Sequence, residues 1–376
     1  MIFVNTKRIL LIVTTLALIP IVWFDSTSES RNKPTLRTNT LLPLALGRQK
    51  VATLDSKTLI FPDDHGIHRG SGVEIWQLAG ILRTQDNHQL GIAMIITRID
   101  LDTDLNRWRS RWAANQIFHL DYAITPAGDG KIHRTRKTAR SALGLAGYDQ
   151  QRRSIRVYRR EIVFDTQNRE LPRINLNIPD RTYPANLQFK ALKPITIPPL
   201  RTPFRYYALA RMKVLGGLKI SGLTQAVTGS AIFDHTWGNL PLTNGQLVRN
   251  RILLQLSNGM EFNLFESRRR DGSGKVINGG FMVLPNSELV VFDQTKLKID
   301  PSVYWTSLTS ETRYPVQWQV RIPDRGINLN VQAWRKNQET DDIPKGWRGM
   351  VSVSGQVREN PVTGFGYVQL TGYPTN

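Results

Sequence analysis

From about residue 74 onward, apolar and polar positions alternate with a period close to two, in short runs rich in Val, Ile, Phe, Tyr and Trp. Turn residues interrupt these runs about every eight to twelve positions, the spacing of an all-β chain. The pattern predicts strands over 74–82 and 89–99, joined as a hairpin by the polar 83–88. A further strand is expected over 154–164, where Arg156, Tyr158 and Arg160 alternate with Ile155, Val157 and Arg159. Strands then recur over 218–222, 227–233, 248–256, 260–266, 276–282, 289–292, 316–322, 327–334, 347–357 and 365–371. Asn244-Gly245 and Ser257-Asn258-Gly259 are strong turn signals, and Asp271-Gly272-Ser273-Gly274 is a flexible hairpin end. The stretch holding Trp108, Trp112, Phe118, His119 and Tyr122 among Arg107, Arg109 and Arg111 reads as a short helix or an irregular connection. Residues 131–140 read as a basic loop, and no long helical period follows Pro126. The organisation is that of a sandwich or barrel protein.

The proline-rich 193–203 cannot be a central strand, since proline donates no ladder hydrogen bond. Taken as a boundary, it divides the β region into 57–203 and 204–376, after an N-terminal segment at 1–24 and a polar linker at 25–56. In the N-terminal segment Lys7 and Arg8 precede an apolar run broken only by Thr14, Thr15 and Pro20. That pattern fits a cleaved signal peptide and a retained membrane anchor equally. The chain has no cysteine, which excludes a lipoprotein anchor and a disulfide scaffold. A periplasmic protein of the bacterial envelope, free or tethered to the inner membrane, is the expected setting. The 50 Lys and Arg against 30 Asp and Glu give a net charge of +20, which makes anionic surfaces attractive partners. These cations are dispersed through strands, not gathered on one reading element, so a membrane surface is expected and nucleic acid is not. Arg156, Arg159 and Arg160 are the candidates for a face on anionic lipid.

Chemistry concentrates in Ala231-Ile-Phe-Asp-His-Thr-Trp-Gly238. The strand period sends His235 and Trp237 to one face and Asp234 and Thr236 to the other. Glu74 and Trp76 likewise share a face. Before them comes Phe61-Pro-Asp-Asp-His-Gly-Ile-His68. A buried Glu74 would need a charge partner, and His235 is the expected one, which requires the two halves to pack so that these segments converge. His65, His68 and His235 with Asp63, Asp64 or Asp234 could in principle ligate a metal, but they read as hydrogen-bonding residues; no metal or other cofactor is expected. No Gly-x-Ser-x-Gly elbow or phosphate-cradling glycine loop is present.

These pieces, in this order, resemble the hydroxyneurosporene synthase (carotenoid 1,2-hydratase) and AttH-like lipocalin family. The resemblance runs from about Phe61 through Tyr206-Tyr207 and Trp347-Arg-Gly349 to Gly364-Phe-Gly-Tyr-Val-Gln-Leu-Thr-Gly-Tyr373. It implies two tandem lipocalin-like antiparallel β-barrels. It also implies catalytic roles for His235 and Trp237, with Glu266 the only candidate for the acid, because the strand 260–266 lacks the tyrosine and aspartate of the hydratases. Ligand-binding positions carried over are His65, His68, Glu74, Trp76, Asp234, His235, Trp237 and Arg348. The departures run in one direction: Thr236, Arg348 and Gln369 stand where the family has glutamate. If those positions face a cavity, it suits an anionic or amphiphilic ligand better than acid catalysis. The expected function is therefore binding of a hydrophobic or amphiphilic small molecule, with an ABC-type permease as the partner the resemblance implies. Hydration of an acyclic carotenoid is the alternative.

Overall fold

Two adjacent strands, β1 (Val73–Thr84) and β2 (Gln89–Asp100), are buried along almost their whole length on both faces, and their place in the fold explains why. They form the wall between two curled antiparallel sheets. The computed structural model describes residues 58–374 apart from 102–114, 129, 166, 200–203, 239–246, 293–294 and 342–343. The N-terminal targeting segment, most of the linker, Trp108, Trp112 and the Asn244-Gly245 turn lie outside the described residues.

The first sheet continues with β3 (Gln116–Pro126), β4 (His133–Arg140), β5 (Ala146–Asp149), β6 (Ser154–Val157) and β7 (Arg160–Asp165). It is completed by β8 (Arg173–Ile178), β9 (Ala185–Ala191), β10 (Phe204–Ile220) and β11 (Leu223–Gly238). Its order is β4-β3-β2-β1-β11-β10-β9-β8-β7-β6-β5. The two ends of this path meet where the Tyr158 hydroxyl, beside β6, donates to the Thr138 carbonyl of β4, 3.0 Å away. The second sheet comprises β12 (Leu247–Leu256), β13 (Glu261–Arg269), β14 (Ile277–Val283), β15 (Leu289–Val291), β16 (Lys298–Thr306) and β17 (Arg313–Ile322). To these it adds β18 (Ile327–Ala333), the short β19 (Glu339–Thr340), β20 (Gly346–Val357) and β21 (Asn360–Thr371). Its order is β15-β14-β13-β12-β21-β20-β18-β17-β16, with β19 paired to β20. The described residues contain no α-helix, and no helix among them is long and apolar enough to cross a membrane. The expected pair of antiparallel β-barrels is what the chain forms.

Alternation decides what each strand presents. In β9, Ala185, Leu187, Phe189 and Ala191 point inward while Asn186, Gln188 and Lys190 are exposed, because its outer face meets water. In β1 the inward set Trp76, Leu78 and Leu82 joins the first core. The outward set, Ile75, Ala79 and Ile81, packs with Ala93 and Ile95 of β2 against Met350, Phe365 and Tyr367 of the second sheet. The sheets approach so closely at Gly91 that a Cβ there would lie 2.4 Å from Met350 Cγ.

Four expectations need correction. Phe118, His119 and Tyr122 lie in neither a short helix nor an irregular connection but on strand β3, paired with β2 and β4. The change of sheet falls between Gly238 and Leu247, not at 203/204, since β10 and β11 return to the first sheet and pair with β9 and β1. The proline-rich segment connects β9 to β10, and among its described residues Thr196 bridges to Ala208 of β10. Residues 131–140 are not a loop but the edge strand β4, held by pairing to β3 although Ala139 is its one buried residue. Finally, 154–164 is not one strand but the β6–β7 hairpin, turned at Tyr158, whose φ of 57° is left-handed. Arg156 and Arg159 are exposed there and Arg160 is half-buried, so the anticipated strict alternation is lost.

Candidate functional site

The inward faces of β1, β2 and β11 meet at one end of the first barrel, where Glu74 lies opposite Trp237 and Arg98, and Trp76 opposite His235. The segment before β1, with its 3-10 turn Asp63–His65, folds over that end. Glu74 is fully buried, and every polar group of the cluster is arranged around its carboxylate. Arg98, also fully buried, donates from Nε to Glu74 Oε2 at 2.9 Å. Its other nitrogens reach the His68 and Ser71 carbonyls at 2.9 Å each and Asp100 at 3.2 Å. His68 Nδ1 lies 2.6 Å and His235 Nε2 3.0 Å from Glu74 Oε1. On the far side of each ring, His68 Nε2 meets Asp64 Oδ1 at 2.8 Å and His235 Nδ1 meets the Asp64 carbonyl at 3.1 Å.

Indole rings fix both imidazoles. Trp237 stacks on His68 with centroids 3.9 Å apart, and Trp76 stacks on His235 at 4.6 Å while donating its N–H to the His65 carbonyl at 3.0 Å. His65 sits behind them, stacked on Phe164 and 2.6 Å from the Tyr207 hydroxyl. The expected Glu74–His235 pairing is therefore present. It joins neighbouring strands of one sheet, not two domains, for the reason that corrected the boundary.

Burial opposes ionisation of Glu74, but hydrogen bonds from the two histidines and the charge of Arg98 outweigh it and hold its pKa at about 2. Burial also opposes the His68 cation, yet hydrogen bonds to Asp64 and Glu74 raise its pKa above the ordinary histidine value. His235 is shifted down by burial. A neutral imidazole carries one N–H, and both nitrogens of His235 face oxygen acceptors, so the neutral ring satisfies only one of them. Between them, His68, Glu74 and His235 offer three ligand atoms within 4.8 Å of one another, a set that could hold a metal ion.

His65 is depressed to about 3, chiefly by burial and then by the neighbouring His235, with Asp64 opposing the shift. A histidine whose folded pKa is depressed stabilises the protein above its unfolded pKa of about 6.5, and that contribution is lost as pH falls toward 3. One proton of difference corresponds to about 1.4 kcal/mol per pH unit. His65→Asn is accordingly expected to flatten the loss of stability between about pH 6 and 4. Urea unfolding at several pH values measures this, and an unchanged slope would remove His65 as its source.

The remaining anticipated site residues do not join this cluster. Asp234 points from β11 toward the second sheet, where Arg251 grips it at 3.1 and 3.2 Å. Arg348 faces the first sheet from β20, 3.9 Å from Asp121 and 2.8 Å from the Pro344 carbonyl. The strand period places Thr236 and Gln369 on these same inter-sheet faces. The positions that depart from the family's glutamates thus belong to the seam between the sheets, not to a barrel cavity. Glu266 lies inside the second barrel, 3.0 Å from Asn250 Nδ2. Since Asn250 and Arg251 are successive residues on β12, Glu266 and Asp234 lie on opposite sides of it. Glu266 and His235 therefore serve different barrels and cannot act on one reacting atom.

Glu266 instead borders a cavity of about 400 Å³ at the open end of the second barrel. Val276, Ile299, Tyr304 and Tyr373 give it apolar walls, with Arg268 and Asp300 at its polar side. Burial raises the Glu266 carboxyl, against the opposing charge of Arg268 and the Asn250 hydrogen bond. Val276, Ile277, Val303 and Tyr304 are substantially exposed at or beside this opening.

Sequence reasoning missed Arg98 and the contact of Tyr207 with His65. Arg98 follows Met94 and Ile96 on the inward face of β2, and a guanidinium at such a position implies a buried carboxylate across the ladder.

The AttH-like family profile matches residues 52–373. Among solved structures, one from Nitrosomonas europaea assigned to AttH superposes with a TM-score of 0.72 at 21% identity, covering 85% of this chain and 98% of that one. Kievitone hydratase from Nectria haematococca superposes with a TM-score of 0.62 at 15% identity, covering 87% of this chain and 96% of that one. At these identities the likeness is one of fold, a tandem lipocalin-like pair of barrels. A search of curated proteins returned no match.

Proposed function

The chain belongs to the AttH-like family, and we propose that it is a binding protein of the bacterial envelope, holding one hydrophobic or amphiphilic molecule in its second barrel. The observation that carries this reading is the cavity at the open end, with apolar walls, a charged Glu266–Arg268 side and an exposed apolar rim. At about 400 Å³ it falls within the range of small-molecule pockets. An amphiphile would lay its chain along Val276, Ile299 and Tyr304 and turn its polar end toward Arg268. Delivery to or from an ABC-type permease, and contact of the basic surface with anionic lipid, extend the same reading.

Titration with a dansyl-labelled fatty acid tests it. Val276→Asp is expected to weaken saturable one-to-one binding at least tenfold, and Arg268→Glu to weaken the anionic probe more than a neutral analogue. Equal affinity in wild type and both variants would place binding elsewhere.

A hydratase is the second reading, favoured by one observation: a buried carboxyl with a raised pKa on a cavity wall is poised to donate a proton to an alkene. Glu266→Gln would then remove a hydrated product formed from an acyclic carotene. No such product in the wild type excludes this reading and leaves the binding one intact.

A further inference from the structure

We propose that His68 Nδ1, Glu74 Oε1 and His235 Nε2 bind one divalent transition-metal ion of the zinc class. The site belongs to the first barrel and stands apart from the cavity assigned to ligand binding, so neither proposal depends on the other.

Four features of the cluster lead there. First, two imidazole nitrogens and a carboxylate oxygen converge within 4.8 Å, and two histidines with one glutamate make a ligand set that suits zinc and similar ions. Second, the outer nitrogen of each histidine already faces an acceptor, the Asp64 carboxylate for His68 and the Asp64 carbonyl for His235. Metal-bound histidines use such partners to fix the tautomer that turns a bare nitrogen toward the ion. Third, Arg98 holds the second oxygen of Glu74, and Trp237 and Trp76 hold the ring planes, so the ligands are oriented by groups that are not ligands themselves.

The fourth feature is charge. The carboxylates of Asp64 and Glu74 both face the rings, and Arg98 pairs with Glu74. A divalent ion between the rings and Glu74 would add positive charge where these carboxylates converge. The ion also resolves the conflict at His235, where a neutral ring can donate to only one of Glu74 and the Asp64 carbonyl: with Nε2 on the metal, the remaining Nδ1–H serves the carbonyl. Ligand atoms around a tetrahedral ion with bonds near 2.0–2.1 Å sit about 3.3 Å apart. The present 2.6 and 3.0 Å separations from Glu74 must therefore open by well under an ångström. His68 precedes β1 and is 19% exposed, which gives it room to shift and gives the ion a route in. Binding at His68 replaces the Nδ1 proton, leaving Nε2–H on Asp64.

Protons on the rings would supply the same positive charge, and a direct titration separates the cases. The full chain is stripped with a chelator, dialysed and titrated with Co2+ by visible absorption and with Zn2+ by calorimetry. The expected result is one ion per chain. His68→Ala is expected to abolish that step, Asp64→Asn to weaken it about tenfold to hundredfold, and His88→Ala, at an exposed histidine elsewhere, to leave it unchanged. Circular dichroism confirms that each variant is folded, and the Asp64→Asn result stands if His68→Ala is not. Absence of one-to-one uptake by the wild type overturns the proposal, as does equal affinity in folded Asp64→Asn and His68→Ala.

Discussion

Glu74→Ala, measured in the presence of a chelator, is expected to lower folding stability by about 3–5 kcal/mol, the range for breaking a buried ion pair from one side. The cost comes from what remains. Arg98 is fully buried and would keep its charge with only the half-exposed Asp100 carboxylate and two carbonyls as partners. His68 and His235 would lose the oxygen on which both converge. Replacing the pair together removes the stranded charge, so Glu74→Leu with Arg98→Met is expected to recover much of the loss. Urea unfolding of Glu74→Leu, Arg98→Met and the double variant tests this through their coupling. Additive losses would mean that the two charges do not depend on each other.

The second large effect is expected at the seam between the sheets. Lys193, in the proline-rich segment, reaches Glu261 Oε2 at 2.7 Å and the Gly259 and Leu284 carbonyls at 2.7 and 2.6 Å. Arg211 also donates to Glu261. One ammonium group thus ties the connection between β9 and β10 to two turns of the second sheet. Lys193→Met keeps much of the side chain's bulk but leaves two carbonyls without this donor, and is expected to cost about 3 kcal/mol. Limited proteolysis in the 193–203 segment should accelerate in step. A variant as stable and as resistant as the wild type would show that the Lys193 ammonium does not help to hold the seam.

The strand pattern was largely legible because a period of two survives in any strand with one wet face. It also placed Glu74 with Trp76, and His235 with Trp237, on common faces. What remained hidden was partnership at long range. Glu74 and His235 are 161 positions apart, and nothing local states that β11 returns to lie beside β1. The same gap misassigned Asp234, Arg348 and Glu266: periodicity says that a residue faces away from its neighbour, but not which barrel lies on that side. β4 was unreadable for another reason. Its sequence, His-Arg-Thr-Arg-Lys-Thr-Ala-Arg, has almost no apolar set to alternate, and its strand form is imposed by the β3 ladder.

The binding function is tested most directly by native mass spectrometry of the protein isolated from producing cells without harsh detergent. One bound amphiphile per chain is expected in the wild type and its loss in Val276→Asp, with both proteins folded. A wild-type chain that is uniformly empty, and whose organic extract holds no more lipid than that of the variant, would mean that the second barrel does not carry a ligand.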